Sequence, residues 1–114
     1  MGILQTIVSA IRVSAPSKPR SPKWEGVRAK HLKAHPVCAA CGTKKTLEVH
    51  HIVPFSDNPE LELDPSNLIT LCESATDGII CHLCIGHLGN YQSYNKNVQY
   101  DAAVWLDKFN SRPA

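Results

Sequence analysis

Apolar residues recur at helical spacing in three parts of the chain. Residues 3–11 carry isoleucine, leucine and valine three and four positions apart, which predicts a short amphipathic helix for packing or for contact with a protein partner, although the β-branched residues also permit a strand. A second helix is predicted from Ser21, as its N-cap, to His35, because Pro22 suits a first helical position and Pro36 ends the periodic pattern. A third is predicted over Asp101 to Phe109, with Ala102, Trp105 and Phe109 on one face.

The stretches between these helices read differently. Leu47 to Val53 reads as a strand, residues 68–72 form a second short apolar run, and the segment from Cys81 begins another predicted helix. The prolines and basic residues of 14–22 predict an extended cationic linker, while 54–66 and 73–80 read as loops. We therefore divide the chain into an amphipathic segment with its linker, residues 1–20, and one domain, residues 21–114.

The composition of the chain indicates that its core needs a cross-link, such as a bound metal ion, to be stable. A chain of 114 residues with only 6% aromatic residues has few large anchors for its core, so a structural metal would help it fold. Its five cysteines are an odd number, and no secretory signal or run of about 20 apolar residues is present. These features favour metal ligation over disulfides and predict a soluble protein of the reducing cytoplasm.

Charge is distributed unevenly along the chain. Residues 1–47 hold nine basic residues and one acidic residue, whereas the remainder holds three basic and nine acidic, for a net charge of +2 overall. A basic front half attracts polyanions such as nucleic acid, although a solvated charged surface is an equally good explanation of the charge alone.

Four cysteines form a candidate structural zinc site. Cys38 and Cys41 have the spacing of a zinc knuckle, with Gly42 allowing the tight turn, and they require two further ligands. Cys72 and Cys81 are the expected partners, and Cys84 is the alternative to Cys81.

Adjacent histidines carry the candidate chemistry. Neighbouring residues of a strand point to opposite sides, so His50 and His51 are expected to hold different roles, one as a metal ligand and one as a base. Glu48 shares the strand face of His50, where it would either orient a ligand histidine or remain a solvated carboxylate.

The ordered motifs Cys-x-x-Cys, Leu-Glu-x-His-His-Ile-x-Pro, Asn-Leu-x-x-Leu-Cys and Cys-His resemble those of the HNH endonucleases, also called His-Me finger nucleases. The resemblance covers roughly residues 21–90 and implies an α+β fold, a small zinc-stabilised ββα-metal domain with flanking helices. It makes His50 and His82 ligands of a catalytic cation, His51 the general base and Asn67 a brace of the connecting loop.

His87 is a further candidate ligand. On a regular helix it would lie about 140° from His82, but Gly86 between them can distort the segment enough to turn both inward.

The resemblance implies metal-dependent hydrolysis of phosphodiester bonds in double-stranded DNA. The catalytic ion would be Mg²⁺, Mn²⁺, Ni²⁺ or Zn²⁺, beside the structural zinc, and such enzymes are often carried by phages or mobile elements. The alternatives are a catalytically inactive, zinc-stabilised module that binds nucleic acid and a purely structural zinc protein. The sequence leaves the oligomeric state open.

Overall fold

A computed structural model describes residues 20–73 and 79–111 of the chain. The predicted amphipathic segment at 3–11, most of the linker and the centre of the 73–80 loop lie outside the described residues. None of the described helices has the length and apolar character needed to cross a bilayer.

Two antiparallel strands form the centre of the fold. Strand β1, Leu47–His51, pairs with strand β2, Leu68–Cys72, in a register that sets His50 opposite Ile69 and His51 opposite Leu68. The predicted first strand is two residues too long, because Val53 turns its N–H to the side chain of Asn67 instead of a neighbouring strand (2.8 Å). Every residue of β2 is buried, as the apolar run predicts.

Helix α1, Trp24–Ala34, lies against the sheet and buries no residue completely. The helix begins later than predicted: Ser21 Oγ accepts the N–H of Lys23 (3.0 Å), and Ser21 carbonyl accepts that of Trp24 (3.1 Å). Ser21 therefore stabilises the turn before the helix. Trp24 packs its ring against the ring of His51, 4.6 Å between centroids, and so ties the first turn of α1 to the end of β1.

The segment after Cys81 is a five-residue π-helical turn, His82–Gly86, rather than a regular helix. Helix α2, Val98–Asn110, then covers it and begins three residues earlier than predicted. Val98 and Ala102 are buried in this contact, whereas Trp105 is 38% exposed and meets Phe109 at the edge of the domain. Buried Asn95 links the two elements by donating from Nδ2 to the carbonyl of Ile85 (3.1 Å).

The core is small and rich in cysteine. It is built from β2, the knuckle, the π-helical turn and the start of α2, with Leu71, Cys72, Cys38, Cys81 and Val98 fully buried. A short antiparallel sheet with helices against it confirms the predicted α+β class.

Candidate metal centre and active site

Four cysteine sulfurs converge on one point of the core. The Sγ atoms of Cys38, Cys41, Cys72 and Cys81 all lie within 4.8 Å of one another, and Cys41 Sγ is 3.8 Å from Cys72 Sγ. A tetrahedral zinc site with Zn–S bonds of about 2.3 Å has S–S edges of about 3.8 Å. The cluster therefore has the ligand number, the ligand type and the spacing that a zinc ion requires.

Local backbone geometry explains how the knuckle forms. The carbonyl of Cys38 accepts the N–H of Gly42 (2.9 Å), and the N–H of Cys38 donates to the carbonyl of Thr43 (2.8 Å). Gly42 has φ of 81°, a conformation that costs glycine little, as the sequence predicts. The turn brings Cys41 back beside Cys38.

The electrostatics of the cluster also fit a cation. Hydrogen bonds from the Cys81 thiol and from nearby backbone N–H groups lower the pKa of Cys38 to about 4, despite burial. Burial in turn raises the pKa of Cys72 to about 11, and the hydrogen bond to Cys38 raises the pKa of Cys81. The Cys38 thiolate therefore forms readily while Cys72 and Cys81 resist ionisation, and a cation bound among the sulfurs would favour their thiolate forms.

Cys84 stands apart from this cluster. Its side chain is exposed on the outer side of the π-helical turn, whereas Cys81 is completely buried with the other three. The structure therefore brings together the four cysteines that the sequence favours.

Three histidines form a second cluster. Nitrogen atoms of His50, His82 and His87 lie within 4.8 Å of one another. His82 Nε2 is 3.1 Å from His50 Nδ1 and 3.2 Å from His87 Nε2. Ligands bonded at about 2.1 Å to one cation are separated by about 3.0 Å in octahedral and about 3.4 Å in tetrahedral geometry. These nitrogens therefore fit a divalent ion.

The outer contacts of the rings determine which nitrogens can bind it. His87 Nδ1 donates to the carbonyl of Ser93 (2.7 Å), and His82 Nδ1 lies 2.5 Å from the carboxylate of Glu73. In the neutral rings both Nε2 atoms then carry lone pairs that face each other. A divalent cation bound between them would accept both lone pairs.

His50 is the buried member of this cluster. Burial, followed by the proximity of His82 and His87, lowers the pKa of His50 to about 3, so its ring is neutral near pH 7. Its Nε2 is buried and has no hydrogen-bond partner within the described part of the chain. A neutral imidazole offers a lone pair to a metal ion, and Nδ1, which lies 3.1 Å from His82 Nε2, is the nitrogen placed to do so.

The π-helical turn places the rings of His82 and His87 on the same side of the segment. The N–H of His87 donates back to the carbonyl of His82, five residues earlier (3.1 Å), so the two rings face the same side. Gly86 contributes by its lack of a side chain: a Cβ there would lie 3.2 Å from His50 Cε1 and 3.1 Å from Leu71 Cδ1. The close packing of His50 on Gly86 lets all three rings meet.

His51 is not a member of this cluster, in keeping with the different roles expected of neighbouring strand residues. Its Nε2 donates to the carbonyl of Glu62 (2.9 Å), which leaves the lone pair on Nδ1. Burial lowers the pKa of His51, while the hydrogen bond to Glu62 opposes this shift. The neutral ring is thus held in one tautomer, with one nitrogen able to accept a proton.

Asn67 holds the loop between the strands. Its Nδ2 donates to the carbonyls of Val53 (3.1 Å) and Leu61 (3.2 Å), and its Oδ1 accepts the N–H of Val53. The side chain is buried, so these bonds fix the path of the loop that carries Glu62 toward His51.

Two carboxylates of the site were missed by sequence reasoning. Glu73, and not Glu48, contacts a candidate ligand, since Glu48 pairs with Arg28 on α1 (3.7 Å). Glu62 is buried and accepts from Arg20 Nε (3.0 Å) and from the N–H of Ser21 (3.1 Å). Neither residue stands in a recognisable motif, although the position of Glu73 directly after Cys72 was an available signal.

The two clusters are joined through the backbone. Cys72 precedes Glu73, and Cys81 precedes His82, so each neighbouring pair sends one side chain to the sulfurs and one to the histidine cluster. Tyr91 closes the outer side, with its ring 5.0 Å from that of His87 and its hydroxyl 3.4 Å from Glu73 Oε1.

His50, His51, His82 and His87 all line one open cleft of about 250 Å³, together with Arg20 and Phe55. A larger groove of about 460 Å³ lies by His31, His35 and Thr70, but it contains neither cluster. The smaller cleft is therefore the candidate active site, because it contains the histidines, whereas the larger groove contains neither cluster.

Comparison with known families agrees with this location. The model of the HNH endonuclease family matches residues 38–87, a span that begins at the first cysteine of the sulfur cluster and ends at the last histidine. No curated protein and no solved structure matches the chain. The matched span includes both clusters, His51 and Asn67, while Arg20 and helices α1 and α2 lie outside it.

Proposed function

We propose that this HNH domain is a metal-dependent endonuclease that hydrolyses phosphodiester bonds of DNA. The observation that carries the proposal is the contrast between two adjacent rings. His50 joins two other histidines around a space suited to a cation, whereas His51 is held by Glu62 with Nδ1 able to accept a proton. A cation site beside a neutral base is the equipment that phosphodiester hydrolysis requires.

His51 would act as the general base. Nδ1 takes a proton from a water molecule as that water attacks phosphorus, in line with the departing 3′ oxygen. The products carry 5′ phosphate and 3′ hydroxyl ends. The Glu62 carbonyl holds the ring orientation during this step, and the lowered pKa of His51 keeps the ring neutral near pH 7.

His50, His82 and His87 would hold the catalytic divalent cation. When bound, the ion stabilises negative charge on the phosphoryl oxygen and on the leaving oxygen. Glu73 and the Ser93 carbonyl orient His82 and His87, and Gly86 leaves room for the ring of His50. The four cysteines would hold a structural zinc ion that keeps this arrangement together.

Helix α1 would supply contacts to the DNA backbone. Lys30 and Lys33 are exposed on it, Lys23 is exposed directly before its first residue, and the Trp24 ring packs against His51. Lysine side chains favour phosphates without reading bases, so we expect strong salt dependence and weak sequence preference.

A plasmid cleavage assay tests the proposal. Zinc-loaded protein is incubated with supercoiled plasmid and Mg²⁺, Mn²⁺ or Ni²⁺, with and without chelator. We expect metal-dependent cleavage that His51→Ala reduces by about 10²- to 10⁴-fold, while exposed His35→Ala serves as the matched control. A folded His51→Ala protein that cuts at the original rate would refute the role of His51.

The same experiment examines the alternative of an inactive binding module. Such a module would retard DNA in a gel at low salt, yet would leave the plasmid intact with every metal. A protein that neither binds nor cuts DNA would instead indicate a structural role for the zinc domain.

A further inference from the structure

We propose that Arg20 is a phosphate-binding residue of the cleft, which holds a non-bridging oxygen of the DNA strand beside the histidines. This inference rests on the proposed function and adds a residue outside the matched HNH span. Arg20 lines the same cleft as His50, His51, His82 and His87.

Two contacts orient the guanidinium before any substrate arrives. Its carbon lies 4.4 Å from the centre of the Phe55 ring, and Nε donates to Glu62 Oε2 (3.0 Å). Stacking on an aromatic face and a fixed Nε contact restrict the rotamers of a long side chain. The entropy cost of ordering Arg20 on a ligand is therefore reduced.

The contact with Glu62 uses the inner nitrogen of the guanidinium. Among the described residues, Arg20 pairs with Glu62 through its Nε atom. Its terminal Nη groups can therefore bind a second anion. The Arg20 side chain is 52% exposed, whereas that of Glu62 is 5% exposed. One side of the guanidinium thus faces a buried carboxylate while the rest is accessible from the cleft.

The charge of the cleft supports an anionic ligand. Among the lining residues that the structure describes, Arg20 is the one lysine or arginine. A permanently charged, planar group suits a phosphate, which it can meet with two parallel hydrogen bonds.

Arg20 is not the sole hydrogen-bond donor to the buried carboxylate of Glu62. The N–H of Ser21 also donates to both oxygens of Glu62, at 3.1 and 3.3 Å. Removing Arg20 by itself would nevertheless leave the buried carboxylate of Glu62 without its ion-pair partner, and Glu62 also holds His51 through its carbonyl. The test therefore needs a variant in which the charge of Glu62 is already removed.

The test compares Glu62→Gln with the double variant Arg20→Gln/Glu62→Gln. The substrate is bis(4-nitrophenyl) phosphate, a small diester that makes no contact with the lysines of α1. We expect the double variant to lose about ten- to a hundredfold in kcat/KM relative to Glu62→Gln, mainly through KM, as for one charge-assisted contact. Lys108→Gln, an exposed cation absent from the cleft lining, is the matched control.

A second readout is independent of catalysis. Binding of inorganic phosphate to protein loaded only with zinc is followed by ³¹P NMR, and circular dichroism checks that each variant is folded. Equal phosphate affinity and equal KM in the two Glu62→Gln proteins would overturn the inference. A further outcome is that the wild type binds phosphate without cleaving any diester. If replacing Arg20 then abolishes phosphate binding, the proposed nuclease function fails while the anion site stands.

Discussion

The carboxylate of Glu73 lies 2.5 Å from Nδ1 of His82, on the side of the ring opposite to His50 and His87. This contact fixes His82 with Nε2 as the inward atom. A carboxylate behind a metal-binding imidazole also makes the ring a stronger ligand.

We therefore predict that Glu73→Gln weakens binding of the catalytic ion by about tenfold and leaves the structural zinc in place. Calorimetric titration of Ni²⁺ or Mn²⁺ into zinc-loaded protein measures this affinity. Glu60→Gln, an exposed carboxylate elsewhere in the chain, is the control. Unchanged affinity in Glu73→Gln would show that the contact has no part in ion binding.

Local pattern was sufficient for one part of the site. Strand alternation separated His50 from His51, and knuckle spacing paired Cys38 with Cys41, because each relationship spans only a few residues. The strand β2 and the closing helix α2 were also readable from their apolar residues.

The remainder depends on tertiary contacts that no local pattern encodes. Arg20 meets Glu62 across 42 positions of sequence, and only the folded loop brings them together. The π-helical turn could not be read from helical periodicity, which placed His82 and His87 on different faces. Its i-to-i+5 bonding accompanies the packing of Gly86 against His50.

Cys41→Ser is predicted to abolish stable zinc binding and with it the fold. Structural zinc binding and folding are coupled in small domains, and here the cysteines form much of the core. Metal analysis and circular dichroism of the purified protein provide the measurement. Cys84→Ser is the matched control and should retain one equivalent of zinc, because its thiol is exposed and outside the cluster. A zinc-free Cys41→Ser protein with a native spectrum would contradict the prediction.

Gly86→Ala is predicted to destabilise the protein by about 1–3 kcal/mol and to weaken ion binding at the histidines. The added Cβ would press on Leu71 and His50 at 3.1 and 3.2 Å, so either the strand or the ring must shift. Urea unfolding and ion titration report the two effects.

Gly26→Ala is the control for Gly86→Ala, and we expect it to stabilise the protein rather than destabilise it. No atom of the described residues lies within 4 Å of a Cβ at that position in α1, so the change should stabilise the helix by up to about 1 kcal/mol. Equal stability in the two alanine variants would exclude crowding at Gly86.

His31 is predicted to make stability depend on pH. Burial, followed by the proximity of His35, lowers the pKa of His31 below 6.5, so the unfolded chain binds a proton more readily than the folded one. The contribution to stability is present above pH 6.5 and is lost as the pH falls through the pKa of the unfolded chain toward that of the folded state.

His31→Gln should therefore lose less free energy of unfolding than the wild type between pH 7 and pH 5. The difference should be below about 1 kcal/mol, because solvent screens a half-buried ring. Urea titrations at both pH values, with excess zinc, give the comparison. Identical losses in the two proteins would rule out His31 as the source.

Because Cys72 precedes Glu73 and Cys81 precedes His82, the size of an ion bound among the sulfurs would influence the distance between Glu73 and His82. Cadmium forms longer bonds to sulfur than zinc does, so exchanging one metal for the other would move two peptide segments apart by a fraction of an ångström. That displacement would pass directly to the Glu73–His82 contact. The choice of metal in the cysteine cluster would thus adjust the ion preference of a cleft in which no sulfur takes part.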